Sequence, residues 1–269
     1  MKKTFYTWTL LLLTINVLGQ NTYEIKFKED CKISDKTGKP SCVETNYLPL
    51  ILSQHIRHFM IFEGKTKWVD EKNLDIYRTE FGKENIKDSL FYNGIMESDQ
   101  KLFSRYLYEF EEPVLYNYYL GDDIIRLTYL RAFDKPIMIK LSRQDDSTSL
   151  NIKILNNQIN VKISEDIFHG NFKTISTPKK LTEVKENRSF KIDKYTFLHL
   201  DSLIQNTKIK NEIPDNNTIS GLDGSELLVE IHSSNGYYYI KRMNPRNDSA
   251  IWKITKLLIA ESKTTEVIY

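Results

Sequence analysis

Cysteine, alanine and charge of one sign are what this 269-residue chain has least of. Only Cys31 and Cys42 are present. Two cysteines exclude a disulfide-dense scaffold, and without a Cys-x-x-Cys pair there is no thiol redox centre or zinc ribbon. Alanine occurs only as Ala132, Ala250 and Ala260. Scarcity of the best helix former tilts the chain toward a β-rich fold. Basic and acidic residues number 38 and 36. Nucleic-acid or polybasic membrane binding needs a clustered positive field, and no such cluster exists. Phosphate-cradling glycine loops and dinucleotide fingerprints are missing. Ser225 does not sit in a Gly-x-Ser-x-Gly elbow. His55 and His58 lack a His-Glu-x-x-His frame or a visible third ligand, so no metal and no cofactor is expected. There is no internal repeat and no low-complexity tract.

Long apolar runs are also rare, and the main one is terminal. Lys2 and Lys3 precede the apolar stretch from Trp8 to Leu18, and Gly19 supplies a small residue before Gln20. Residues 1–20 therefore read as a signal peptide, too short to be a membrane anchor. Removing it takes away two lysines and no acids, which leaves 36 basic against 36 acidic residues. The expected location is periplasmic or extracellular, with no stable membrane span after cleavage. In such a compartment Cys31 and Cys42 are expected to pair. They bracket KISDKTGKPS, where Gly38 and Pro40 suit a turn. The bridge would contribute on the order of 3 kcal/mol in the chain-entropy account.

What is abundant is apolar and aromatic: 40% hydrophobic residues, 16 tyrosines and 13 phenylalanines. This supports a sizeable core in one α+β domain over residues 21–269, with a weak internal break near Gly94. Tyr23 to Lys28 alternates as an opening strand. Leu48 to Phe62 reads as a helix entered at Pro49. Leu102, Phe103, Tyr106, Leu107 and Phe110 recur at helical spacing after Ser98-Asp99, and Pro113 stops that helix. Residues 124–167 read as an antiparallel meander of successive strands. Phe172 to Leu181, interrupted by Pro178, reads as an edge strand. Asp193 is the expected N-cap of a helix over Lys194 to Asn206, packed through Phe197, Leu200, Leu203 and Ile204. Asp248-Ser249 leads into a C-terminal helix over 250–262.

The clearest local signal lies between Gly221 and Pro245. Ser225 to His232 and Tyr237 to Met243 are strand-like, and Asn235-Gly236 between them predicts a hairpin with a type I′ turn. Alternation puts Leu227, Val229, Ile231, Tyr238, Ile240 and Arg242 on one face. Moving the turn back by one residue changes the pairing and leaves the faces unchanged. Arg131 likewise shares a face with Ile125, Leu127 and Tyr129. Glu230 faces the opposite way from Arg242, and Lys241 reads as exposed.

Two blocks, LYEFEEPVLYNYYLGDDIIRLTYLRAFDKPIMIKL and GLDGSELLVEIHSSNGYYYIKRMNP, resemble a family of exported bacterial proteins of Bacteroidetes-type genomes. Its members read roughly Y-R-[FL]-T-W-L-R-[ST]-F-x-x-P-[IV], then G-L-D-G-x-x-W-x-L-E-G, then G-x-Y-H-x-x-x-R-W-x-P. The matching positions are Arg126, Thr128, Leu130, Arg131, Phe133 and Pro136, followed by Gly221, Leu222, Asp223, Gly224, Glu230, Tyr237, Arg242 and Pro245. Tyr129, Leu227 and Met243 replace tryptophans, and Tyr238 stands where the family has histidine. The resemblance covers about Leu107 to Leu258 and implies no activity.

The candidate site is therefore Arg126, Arg131, Asp223, Glu230, Tyr237 and Arg242. Arginines on apolar strand faces can clamp a carboxylate or phosphate of a small anionic ligand. Asp223 and Glu230 could act as acid and base. The same residues could instead form structural ion pairs, with Asp223 the expected partner of Arg242. Three functions stay open: an exported binding or interaction protein, with a small anion or an envelope protein as partner; a hydrolase-like enzyme using the Asp/Glu/Arg group; and a structural accessory protein of the envelope. The balance leans away from an enzyme.

Overall fold

A computed structural model of the chain describes residues 24–49, 79, 100–159, 180–212 and 224–264, and the backbone alone of 57–62, 65–70 and 86–87. Its centre is a six-stranded, wholly antiparallel sheet. Strands β1 (Arg57–Phe62), β2 (Lys65–Asp70) and β3 (Ile86–Lys87) form a separate sheet of order β2-β1-β3. The main sheet comprises β4 (Asp123–Arg131), β5 (Ile137–Gln144), β6 (Ser147–Leu155), β7 (Val184–Lys191), β8 (Ser225–Ser233) and β9 (Gly236–Met243). Its order is β7-β6-β5-β4-β8-β9. Among the described residues it is accompanied by the helices α1 over 100–109, α2 (Lys194–Thr207) and α3 (Ala250–Ser262). The α+β expectation holds, including the C-terminal helix. Among the described residues no helix is long and apolar enough to cross a membrane.

Both faces of the main sheet are buried, each under its own cover. One face carries Ile125, Leu127, Tyr129, Leu227, Val229, Ile231, Tyr238 and Ile240 beneath α2 and α3. Phe197, Leu200 and Ile204 are the buried side of α2, and Ile251, Ile254 and Leu258 lie on that of α3. Asp193 accepts a hydrogen bond from Tyr195 N at 2.9 Å, and Ser249 Oγ accepts one from Trp252 N at 3.4 Å, so both helices start where a polar side chain satisfies a free backbone N–H. The other face carries Ile124, Leu130, Met138, Leu228, Tyr237 and Tyr239. It is covered by Phe103, Tyr106, Leu107 and Phe110 of the α1 segment, by Tyr47 and Leu48, and by Val114 to Tyr116.

Several sequence expectations are corrected. Residues 57–62, expected in a helix, form β1, which pairs with β2 from Arg57↔Asp70 to Phe62↔Lys65. RHFMIF is rich in aromatic and branched side chains suited to a strand. The strand that pairs with β6 on its outer side is β7; of the segment expected to follow β6, 159–167, only Ile159 is described, outside any strand, and the rest lies outside the described residues. β7 was missed because VKENRSFK is polar, as an exposed sheet edge tends to be. Most of the proposed 172–181 edge strand and the break near Gly94 lie outside the described residues, as do residues 1–20. The opening strand is reduced to one bridge, Ile25↔Tyr237, closed by hydrogen bonds of 2.7 and 2.8 Å.

The central hairpin forms with the faces expected and the turn one residue earlier. Ser233 pairs with Gly236, so Ser234-Asn235 is the turn and Val229 opposes Ile240. Gly236 serves another need. It has φ +151°, and a Cβ there would lie 2.7 Å from the Ile25 carbonyl oxygen. Glycine thus permits the N-terminal segment to approach β9.

The expected Cys31–Cys42 bridge is absent: both cysteines are exposed and unbonded. Other contacts close that loop. Ser34 bridges Pro40, and Asn117 accepts from Asp30 N at 2.9 Å while donating to Asp30 O and Ser34 Oγ, each at 2.8 Å. Gly38, at φ +81°, lies against Pro113, where a Cβ would clash at 2.7 Å. The loop is docked onto 113–117 by hydrogen bonding and close packing, without a covalent closure.

Candidate functional site

The register of the sheet draws three predicted residues together. Arg126 on β4 stands between Lys140 on β5 and Glu230 on β8, and Glu230 faces Tyr239 on β9. These positions point to the face covered by α1. Arg126 donates from Nε and Nη2 to the two oxygens of Glu230, each at 2.7 Å. This two-pronged geometry is the strongest form of the ion pair. Nη1 donates to Pro113 O at 2.8 Å and approaches Glu112 Oε2 at 3.4 Å. Tyr237 donates its hydroxyl hydrogen to Glu230 Oε1 at 2.9 Å.

Glu112 joins this group from the segment just after α1. It lies 2.9 Å from Lys140 Nζ and 2.7 Å from Lys153 Nζ. Lys153 also donates to Phe110 O at 2.7 Å and to Glu111 O at 3.3 Å, which places an ammonium at the carbonyl end of α1. Burial alone would push the Glu112 carboxyl up; Lys140, Arg126 and Lys153 outweigh it and hold it below the ordinary range. Burial likewise opposes the charged form of Arg126, yet the Glu230 charge and hydrogen bonds raise its guanidinium above its ordinary value. The Tyr237 hydroxyl is pushed well up, first by burial and then by Glu230. The side chains of Arg126, Glu112 and Glu230 are 0% exposed. Among the described residues each of these charges has a partner, and the Arg126–Glu230 pair is fully buried. It is a sealed structural ion cluster.

The other predicted residues go elsewhere. Arg131, at the end of β4, donates to Lys135 O at 2.8 Å, lies 3.5 Å from Asp134 Oδ2 and stacks over Tyr129 at 5.4 Å. Arg242 pairs with Glu212 at 2.9 Å, and the Glu212 side chain is 43% exposed. Its expected partner Asp223 lies outside the described residues. Arg131 and Arg242 take separate acceptors and do not form the anticipated clamp. Lys241, expected to be exposed, is buried, with its ammonium 5.9 Å from the Phe103 ring.

Sequence reasoning missed Glu112, Lys140 and Lys153. A carboxylate just before Pro113, inside an apolar helix end, was the available signal for Glu112. The lysines had none, because their partners depend on a strand order and register unknown in advance. His232 was missed too. Its Nε2 accepts from Leu120 N at 3.1 Å, which leaves the proton on Nδ1, 2.7 Å from Leu115 O. The ring packs against Phe27 and Tyr119, at 5.2 and 5.4 Å, and those two rings also touch each other. Burial pushes its pKa down to about 4. Both ring nitrogens are committed to backbone, so His232 is a neutral structural bridge and not a free base.

An open site does exist where β4 begins, β5 ends and the β8–β9 turn faces α2. There a cleft of about 230 Å³ is lined by residues including Asp123, Arg143, Phe197, Asp201, Lys210 and Asn235. Arg143 pairs with Asp123 at 2.5 Å, and its Cζ lies 4.3 Å from the centroid of the Phe197 ring. Lys210 pairs with Glu24 at 2.7 Å on the rim. Asp201 and Gln205 are one helical turn apart on α2. The arrangement suits recognition of a small polar molecule. Among the described residues no cluster of three or more histidine, cysteine or acidic side chains is placed to hold a metal.

No protein-family model matches the chain, and no curated protein sequence matches it.

Proposed function

We propose that this chain is an exported binding protein of the cell envelope or extracellular space, and that its ligand site is the cleft between α2 and the β8–β9 turn. The observation that carries this reading is the contrast between two polar groups. The Arg126–Glu230–Tyr237 group, the best sequence candidate for chemistry, is closed off and internally neutralised. The cleft carries charged side chains of both signs at an open mouth. Export is supported by the Lys2-Lys3 head, the apolar run and Gly19. Membership of the exported family resembled by the two blocks is supported by the convergence of Arg126, Glu230 and Tyr237, matching positions from both blocks, on one cluster.

The test is differential scanning fluorimetry of the mature chain against anionic, cationic, zwitterionic and uncharged small solutes. A subset should raise Tm through preferential binding to the folded state. Ser234→Trp, which places a bulky ring at the cleft turn, should abolish that rise without lowering the ligand-free Tm by more than a few degrees. A panel that leaves Tm unchanged throughout, or a rise that survives Ser234→Trp, overturns the assignment. N-terminal sequencing of the exported product should start near Gln20 or Asn21; intact Met1 on the mature product rejects export with cleavage.

A further inference from the structure

We propose that the cleft takes a small α-amino-acid-type zwitterion, its carboxylate on Arg143 and its ammonium on Asp201. This rests on the binding-protein reading and names the ligand class for the same site. Arg143 reaches the cleft from the end of β5 and Asp201 from α2. Arg143 spends Nη2 on Asp123. A guanidinium carries five N–H donors in a planar fork, and among the described residues its other donors have no protein acceptor. The Phe197 ring, 4.3 Å from Cζ, and the Asp123 pairing restrain the guanidinium before a ligand arrives. Asp201 lines the same cleft with no ion-pair or hydrogen-bond partner for its carboxylate among the described residues. The site thus presents one spare cationic fork and one spare anionic acceptor.

Charge decides among ligand types. A bare anion at Arg143 shares the cleft with the Asp123 and Asp201 carboxylates, and a bare cation at Asp201 shares it with Arg143 and Lys210. Like charges brought together in this way oppose binding. A zwitterion meets both groups with opposite charge, and each ligand terminus exchanges water for a charge-assisted hydrogen bond. Size agrees: about 230 Å³ is below the roughly 300–1,000 Å³ of pockets for drug-sized molecules. Ser234 and Asn235 of the turn supply further hydrogen-bonding groups for a ligand's own polar side chain.

The test is an NMR titration of the mature chain with L-alanine, and separately with acetate and methylammonium at matched ionic strength. L-Alanine should produce saturable amide shifts at 233–235 and around Asp201, with an affinity at least about tenfold above either half-ligand, the factor expected from one added charge-assisted hydrogen bond. Asp201→Asn should weaken L-alanine about tenfold and leave acetate unchanged or slightly tighter. Arg143→Gln should weaken both L-alanine and acetate. Acetate binding as tightly as L-alanine, with no effect of Asp201→Asn, makes the cleft an anion site; it overturns this inference and leaves the binding-protein reading intact. Methylammonium binding as tightly, with no effect of Arg143→Gln, does the same for a cation site. No saturable shift from any of the three overturns the zwitterion. The cleft itself is removed as a ligand site by a silent fluorimetry panel or by a Tm rise that survives Ser234→Trp.

Discussion

Arg126 has no exposure, two bonds to Glu230 and a third to a backbone carbonyl. Truncating it leaves Glu230 buried with only the Tyr237 hydroxyl for company. Arg126→Ala is therefore expected to cost on the order of 3–5 kcal/mol in urea denaturation, the range for breaking one side of a buried pair. Arg242→Ala, which gives up a pairing with a 43% exposed Glu212 side chain, should cost on the order of 1 kcal/mol or less. Equal losses for the two variants would show that the sealed cluster adds nothing special. His232 carries a separate expectation. Its folded pKa, about 4, lies below the unfolded value near 6.5, so the unfolded chain takes up the proton first. The stability held by neutral His232 is complete above about pH 6.5 and declines as pH falls toward 4. The loss is on the order of 3 kcal/mol by linkage. His232→Gln, measured by urea melts across that window, should flatten this part of the pH profile; an unchanged slope contradicts the assignment.

Individual elements differ in how openly the sequence declares them. The α2 segment was visible because three signals agree: Asp193 before it, Phe197, Leu200 and Ile204 at helical spacing, and no proline within. Asp193→Ala should thus lower stability by about 1 kcal/mol, the usual worth of an N-cap, as a small shift in the urea midpoint; no shift means that Tyr195 N finds another acceptor. The faces of β8 and β9 were equally legible, since period-two alternation survives an error in the turn. The turn itself misled, because Asn-Gly satisfies the local I′ rule while Gly236 answers a contact with Ile25 from two hundred residues away. Gly236→Ala is expected to cost about 1–3 kcal/mol, from the positive φ and the forced retreat of the Ile25 carbonyl. The strand β7 and the partners of Glu112 were not legible at all. A polar edge has no hydrophobic period to read, and a cluster assembled from residues 112, 126, 140, 153 and 230 exists only once the strand order is known.

At the scale of the whole molecule, the sheet is a wall between two cores with different kinds of cover. The α2–α3 cover is two helices, each N-capped by a polar side chain. The other cover is assembled from α1 and from pieces of the N-terminal chain, among them Phe27, Tyr47 and Leu48. Ile25 holds the edge of β9, Phe27 packs at a tilt against His232, and Glu24 pairs with Lys210 at the rim of the cleft. Residues 24–28 therefore link the hairpin, the buried histidine and the ligand cleft. A chain beginning at residue 21 keeps all three contacts. A chain beginning at residue 29 loses them together while leaving every described strand of the main sheet intact. Three outcomes are expected for the shorter chain. Slow hydrogen exchange should persist in β4, β5 and β8 while Tyr237 N, which donates to Ile25 O at 2.8 Å, loses protection. The His232 pKa, read from its ring proton shifts, should move up from about 4 toward 6.5, because losing Phe27 admits water to the ring. The rim of the cleft should gain a free Lys210, which shifts its preference toward anions. If the shorter chain keeps Tyr237 protected and His232 at its depressed pKa, the N-terminal segment is a passive overlay and the coupling between edge, histidine and cleft fails.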